Sequence, residues 1–422
     1  MSIRTIARAS ALAAATVLAL GTGSAVAQTE LSLWYHGAGN KTERALLTQI
    51  IDDFNAAQGD WKTAIEEFPQ ASYNDSVTAA ALAGNLPDII DVDGPILPNW
   101  AWSGYLAPLE IDQAKLDRML PGAVGRWNGK VYGVGLWDAA CAIYARKSVL
   151  DKHGIRIPSL DNPWTRDEFD AALAKLQGSG DFDFAFDPGM AWTGEWYPYA
   201  FGPMLQSQGG DLVDTVKNQA DGTINGDAAL AFGEWWQSLF SRGLAPGTSQ
   251  DSADRETGFL DGKYAMQLNG NWAALPPLEK FGDDMLFLPA VDFGGGPKIG
   301  AASWQFGVAA TSDHKDGATA FITFAMQDKY LAAFSDGIGL IPPTPEAAAM
   351  SEKYRPGGPL EVFFGLSETQ ATLRAVTPGY VVASAEFEKA MADIANGADV
   401  ADTLDAAADA IDQDIENNGG YQ

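Results

Sequence analysis

Residues 87–94 read Pro87-Asp88-Ile89-Ile90-Asp91-Val92-Asp93-Gly94. A short apolar run bounded by turn residues, and ending in carboxylates, describes a buried strand. Upstream, Ser76 to Gly84 reads as a helix. Further back, Glu30 to His36 alternates Leu31, Leu33 and Tyr35 as a strand does. Between them Asn40 and Glu43 form a capping-box-like start, followed at helical spacing by Leu46, Leu47, Ile50, Ile51 and Phe54. Strand, helix and strand at this spacing predict a parallel sheet with crossover helices, an α/β fold. Ligands of such sheets bind beyond the carboxyl ends of the strands. His36, Asp91 and Asp93 stand at those ends.

Downstream, Lys130 to Ala145 is a long β-like run. Thr165 and Glu168 make a second capping box, opening the helix that carries Phe169, Leu173 and Leu176. A Gly- and Trp-rich loop region spans Asp181 to Gly210. Asp227 to Arg242 is helical, and a strand from Tyr264 to Leu268 leads into Asn269-Gly270-Asn271-Trp272. Strands are expected at Met285–Leu288 and Trp304–Ala310, and helices from Lys315 to Phe334 and from Ala383 to about Glu416. There is no internal repeat and no long linker, so the domains are expected to share the chain discontinuously.

The 422 residues are 46% apolar and 19% charged, enough to bury a large core and too apolar for a disordered chain. The length suits roughly two domains. A formal charge of −28 argues against nucleic acid and against anionic lipid. Three His and one Cys offer little for a zinc site or a disulfide framework, and no metal or cofactor is expected. Arg4 and Arg8, the apolar run Ala11 to Leu20, and Ala25-Val26-Ala27 describe a secretory signal peptide over residues 1–27, cut after Ala27. Ten apolar residues are too few to span a bilayer of about 30 Å. No Cys stands at the cut, which argues against lipid attachment there. The expected compartment is the periplasm.

Enzyme signatures are missing: there is no Gly-x-Ser-x-Gly elbow, no phosphate-cradling Gly-Lys-Ser/Thr loop and no dinucleotide fingerprint. Gly133-Val134-Gly135 lacks a third glycine, and Gly294-Gly295-Gly296 runs into Pro297. Tryptophan stands out instead. Several of the thirteen adjoin hydrogen-bonding groups at loop or strand-end positions: Trp137-Asp138, Glu195-Trp196, Asn271-Trp272 and Trp304-Gln305. Sugars present C–H faces to aromatic rings and hydroxyl rims to carboxylates and amides, so this pairing points to a carbohydrate pocket. Trp61, Trp127, Trp235 and Trp236 read as core. Candidate ligand-binding residues are His36, Asp91, Asp93, Trp137, Asp138, Trp192, Glu195, Trp196, Tyr199, Asn269, Trp272, Ser303, Trp304, Gln305, Arg355 and Tyr380. Each has a plainer alternative: a satisfied buried histidine for His36, solvated turn carboxylates for Asp91 and Asp93, a surface ion pair for Arg355.

Ala83-Gly84-Asn85-Leu86-Pro87-Asp88, Asn128-Gly129-Lys130-Val131-Tyr132-Gly133, and Phe259 to Met266 followed by Leu268-Asn269-Gly270-Asn271-Trp272 occur in an order and spacing that resemble the sugar-binding family of ABC-importer solute-binding proteins, which includes maltose-binding protein. Gly300 to Ala310 and Arg374-Ala375-Val376-Thr377-Pro378 fit as well. The resemblance spans nearly all of the chain after residue 27. It implies a two-lobed periplasmic-binding-protein fold with discontinuous domains, a hinge, and the ligand in the interlobe cleft. Residues 28–138 plus 282–328 would form the first lobe and 139–281 plus 329–422 the second. Asp91, Asp93 and Asp138 would line the first lobe's rim, and Trp196 or Tyr199, Trp272 and Tyr380 would stack from the second. The loop Asp187 to Tyr199 departs most from maltose-binding protein.

The expected function is a monomeric receptor, not an enzyme, that hands a small-molecule sugar to the membrane permease subunits of an ABC importer, with no nucleic-acid partner. Two rivals remain open from sequence: a secreted carbohydrate-active hydrolase using two cleft carboxylates, and a polyamine-type cation receptor on the same fold. Neutral donors at Asn269, Asn271 and Gln305 weigh against the cation.

Overall fold

The computed structural model describes residues 28–301 and 304–422. The expected signal peptide, residues 1–27, and Ser303 lie outside the described residues. In chain order the first strands are β1 (Thr29–Tyr35), β2 (Trp61–Glu67), β3 (Ile89–Asp93), β4 (Leu106–Ala107), β5 (Val124–Trp127) and β6 (Lys130–Val134). Next come β7 (Cys141–Arg146), β8 (Phe184–Asp187), β9 (Tyr264–Gly270) and β10 (Met285–Leu288), then β11 (Ile299–Gly300), β12 (Trp304–Ala309) and β13 (Ala371–Thr372).

The first lobe is built on a sheet in the order β2-β1-β3-β12-β6-β5, with β4 beside β12. β1 runs parallel to β2 and β3, because the helices Lys41–Ala57 and Gln70–Ala83 carry the chain back between them. Alternation along β1 buries Leu31, Leu33 and Tyr35 in the same core as Leu47, Ile50 and Phe54 of the following helix. That helix opens as the sequence predicts: Asn40 accepts from the Glu43 amide at 3.1 Å and its Nδ2 donates to Glu43 Oε2 at 2.7 Å. Asn128 and Gly129, at φ 49° and 76°, turn β5 into β6 in the left-handed pair a two-residue hairpin needs.

The second lobe is built on the sheet β10-β7-β9-β8, covered by the helices Arg166–Gly178, Asp227–Ser241, Tyr380–Ala395 and Val400–Asn417. The capping box at Thr165 and Glu168 is complete on both sides. The tail breaks into two helices at Gly397, φ 95°.

The single β-like run from Lys130 to Ala145 is divided between the lobes. β6 belongs to the first sheet and β7 to the second, with Gly135 to Ala140 crossing between them. There Asp138 and Ile341 exchange backbone hydrogen bonds of 2.8 and 3.0 Å, so two crossing segments are tied side by side at the hinge. The lobe boundaries also differ from expectation. Met285–Leu288 pairs antiparallel with β7 and so lies in the second lobe. The helix Asp328–Ile338 packs on the first lobe, where Tyr330 donates to Asp53 at 2.7 Å and Phe334 joins the core around Leu47. Neither placement is encoded locally, because both depend on partners far along the chain. Among the described residues no helix is long and apolar enough to cross a membrane.

Candidate functional site

On the first lobe the carboxyl ends of β1 and β3 bring His36, Asp91 and Asp93 together. β12 runs antiparallel to β3 and sets Trp304 opposite Asp93. His36 Nδ1 lies 2.5 Å from Asp91 Oδ2, and the imidazole stacks on Trp304 at 3.7 Å between centroids and 6° between planes. Tyr73 closes the group. Its ring meets Trp304 edge-on at 5.5 Å, its hydroxyl donates to the Trp34 carbonyl at 3.1 Å, and it accepts from the Asp91 amide at 3.0 Å. Asp91 is 1% exposed and its Oδ1 has no hydrogen-bond partner. Burial pushes the Asp91 carboxyl up, against the pull of His36.

On the second lobe Trp192, Trp196, Tyr199 and Trp272 form an aromatic wall. Trp196 meets Trp192 edge-on at 4.8 Å and Trp272 edge-on at 6.3 Å, and Tyr199 lies 5.9 Å from Trp272. Trp272 is the exposed member, at 37%. Its indole lies over Gly270, where a Cβ would come within 2.1 Å of the ring, so only glycine lets it lie so close to the strand end. Beneath the wall, fully buried Arg255 donates to Asp187 Oδ2 at 3.1 Å and to the Leu268 carbonyl at 2.7 Å. Its guanidinium sits 4.2 Å from the Trp192 ring centroid, which backs the wall with a cation–π contact.

Between the two groups lies an ionic chain. Arg374 donates to Glu195 Oε1 at 2.5 Å and its guanidinium lies 4.9 Å from the Tyr199 ring centroid. Tyr380 also donates to Glu195 Oε1, and Ser384 donates to Oε2 at 3.2 Å. Burial pushes the carboxyls of both Asp93 and Glu195 up, while Arg374 pulls both down, so the arginine acts electrostatically on one carboxyl from each lobe. Burial opposes the Arg374 charge, but Glu195, Tyr380 and Asp93 outweigh it and hold the guanidinium protonated. The lobes touch directly beside this chain. Asn99 Nδ2 donates to the Pro378 carbonyl at 2.8 Å, and Trp102 meets Tyr421 edge-on at 4.9 Å. A cavity of about 410 Å³ opens elsewhere, on the first lobe beside Arg118, Met119 and Met326.

The structure thus gathers His36, Asp91, Asp93 and Trp304 on one side, and Glu195, Trp196, Tyr199, Trp272, Tyr380 and the partly buried Trp192 on the other. It withdraws five candidates. Trp137 is 2% exposed and packs on Phe334 at 4.8 Å in the first lobe's core. Asp138 is fully buried at the hinge, where its carboxylate accepts from Ser367 at 2.6 Å and from the Ala139 amide at 2.9 Å. Gln305 follows Trp304 in the strand and so faces the opposite side. Its amide fills the space left by Gly125 and Gly133 and donates to the Gly122 carbonyl at 3.0 Å. Asn269 is tied to Gln267 at 3.1 Å and to the Gly270 amide at 2.9 Å, as scaffold for the strand end. Arg355 lies exposed in the turn after Tyr354. Sequence reading missed Arg374, Arg255, Tyr73 and the lip pair Asn99 and Trp102. Arg374 carried one usable signal, a lone cation in an otherwise uncharged stretch of an acidic chain.

Among solved structures, the chain is similar to the cyclic α-maltosyl-1,6-maltose binding protein of Arthrobacter globiformis, at TM-score 0.76 and 21% identity over 92% of this chain and 100% of that one. It is also similar to the GacH receptor of Streptomyces glaucescens, solved unliganded and with acarbose, at TM-score 0.73 and 22% identity over 94% and 100%. Both carry the two-lobed arrangement described above. A mannitol-binding protein of Pseudomonas aeruginosa is 25% identical over 313 residues, covering 67% of this chain and 66% of its own. Residues 49–356 match the sequence profile described as bacterial extracellular solute-binding protein, and this chain belongs to that family.

Proposed function

We propose that this protein captures a carbohydrate or sugar alcohol between its lobes and delivers it to the permease subunits of an ABC-type importer. The observation that carries the reading is the partly exposed Trp272 indole, held on an aromatic wall beside the partly buried carboxylates Asp93 and Glu195, one from each lobe. Indole plates suit the C–H faces of a polyol, and carboxylates accept from its hydroxyls in charge-assisted hydrogen bonds. The relatives support the choice, since mannitol and maltose-based saccharides are what their names state they bind.

A ligand that touches both lobes stabilises the arrangement in which Asn99 meets Pro378, and so shifts the population toward it. The carboxylates bind and orient, and the sugar leaves unchanged. A signal peptide over residues 1–27 would route the chain to the periplasm, where it works as a monomer. A thermal-shift screen over mono- and disaccharides, alditols and acidic sugars tests the reading, because a ligand of the folded form raises the midpoint. Calorimetry then gives stoichiometry, and chromatography of the recovered sugar tests for turnover. A panel that leaves the midpoint unmoved overturns the proposal, and product formation replaces the receptor with a hydrolase.

A further inference from the structure

The charges of the site are unequally shared. Each arginine in it already has a carboxylate partner, Arg374 with Glu195 at 2.5 Å and Arg255 with Asp187 at 3.1 Å, and the His36 imidazole is hydrogen-bonded to Asp91 at 2.5 Å. Beyond these pairs the site holds a further carboxyl, Asp93, and the unpartnered Oδ1 of Asp91, buried at 1% exposure. Arg374 is paired with Glu195 on the second lobe and also feels the Asp93 charge on the first, and its guanidinium lies 4.9 Å from the Tyr199 ring centroid. A ligand entering this site meets acceptors in excess and no cation without a carboxylate beside it.

We propose that the Asp93–Arg374–Glu195 chain makes the site discriminate against acidic sugars, admitting an uncharged polyol and refusing the matching uronate or aldonate. The inference rests on the carbohydrate reading above. A hydroxyl donates to an acceptor-rich site at no electrostatic cost. A ligand carboxylate would have to compete with Glu195 for Arg374, or lie against Asp93 and Asp91 in surroundings of low dielectric, where like charges repel strongly. Building repulsion against the wrong ligand is an established route to specificity. The raised carboxyls of Asp93 and Glu195 agree with this picture, since burial already disfavours their own negative charge.

The test uses the full mature chain and matched pairs at pH 7.5: glucose with glucuronate, galactose with galacturonate, mannose with mannuronate, and maltose with maltobionate. For any pair whose neutral member binds, calorimetry should show the acid at least tenfold weaker. Asp93→Asn and Glu195→Gln should each narrow that ratio several-fold. Two near-isosteric variants, each with its unliganded melting midpoint measured, separate a change in selectivity from a loss of folding. An acid that binds as well as its neutral partner, or a ratio unmoved in both variants, overturns the inference and leaves carbohydrate capture standing. Should no sugar of either kind bind, the carbohydrate reading itself falls and takes this inference with it.

Discussion

The indole of Trp304 lies parallel to the imidazole of His36, 3.7 Å apart and 6° from coplanar, with Tyr73 edge-on beside them. One face of Trp304 is therefore taken by a protein side chain, whereas Trp272 is 37% exposed on the aromatic wall. The two indoles should separate on mutation. Trp304→Ala should lower stability by about 3 kcal/mol, the low end for deleting a packed tryptophan, since its side chain is only partly buried. Trp272→Ala should leave the unfolding midpoint nearly unchanged and weaken sugar binding at least tenfold, about 1.4 kcal/mol. Urea unfolding and calorimetry on both variants check this, and the reverse pattern would exchange the two roles.

Gly270 gives a subtler version of the same test. Its backbone conformation is ordinary for any residue, but a Cβ there would meet the Trp272 ring. Gly270→Ala should displace the indole, shift the tryptophan emission spectrum and reduce affinity without removing any ligand-facing group.

The lip contacts Asn99–Pro378 and Trp102–Tyr421 join the lobes outside the ionic chain. Trp102→Ala should favour the open form and weaken ligand binding several-fold, although Trp102 lies outside the aromatic wall. Small-angle scattering of the unliganded variant should give a larger radius of gyration than the wild type. An unchanged radius with unchanged affinity would remove the lip from the closure mechanism.

Burial raises the carboxyls of Asp91, Asp93 and Glu195. A carboxyl raised above its unfolded value, about 4, holds its proton more tightly when folded. Its contribution to stability is therefore full below about pH 4 and is lost as pH rises through the folded pKa. Between pH 5 and 7.5 the unliganded wild type should lose more stability than Asp93→Asn or Glu195→Gln. Urea midpoints at the two pH values measure the difference, and parallel profiles would count against it.

Arg255 and Asp187 are both fully buried. Asp187→Ala leaves a guanidinium without its counter-charge under the aromatic wall, and should cost about 3–5 kcal/mol in urea unfolding. Replacing both by apolar residues of similar size should cost much less.

Local signals were legible in the sequence. The alternation of β1, the closing carboxylates of β3, the Asn40 cap and the capping box at Thr165 and Glu168 depend on neighbours within a few residues, and the structure has them where expected. Pairings over long separations were not. Arg374 meets Glu195 across 179 residues, and nothing near either one announces the other. Trp304 and Gln305 show a different limit. Both were named as candidates because they adjoin, yet adjacent residues of a strand face opposite ways, so one had to turn inward. Asp138 reads as a ligand acceptor only from its neighbour Trp137, whereas in the fold it is buried and its carboxylate accepts from Ser367 of the helix Glu361–Thr369, more than 200 residues away.

β12 lies in the middle of the first sheet, between β3 and β6, although more than 150 residues of chain separate it from either. While the ribosome is still making the second lobe, the first is two half-sheets with their inner edges open. For most of its synthesis the nascent chain therefore lacks the strand that joins those two halves. It also means that neither lobe can be excised as one continuous fragment, so separating them would require rejoining distant pieces of the gene.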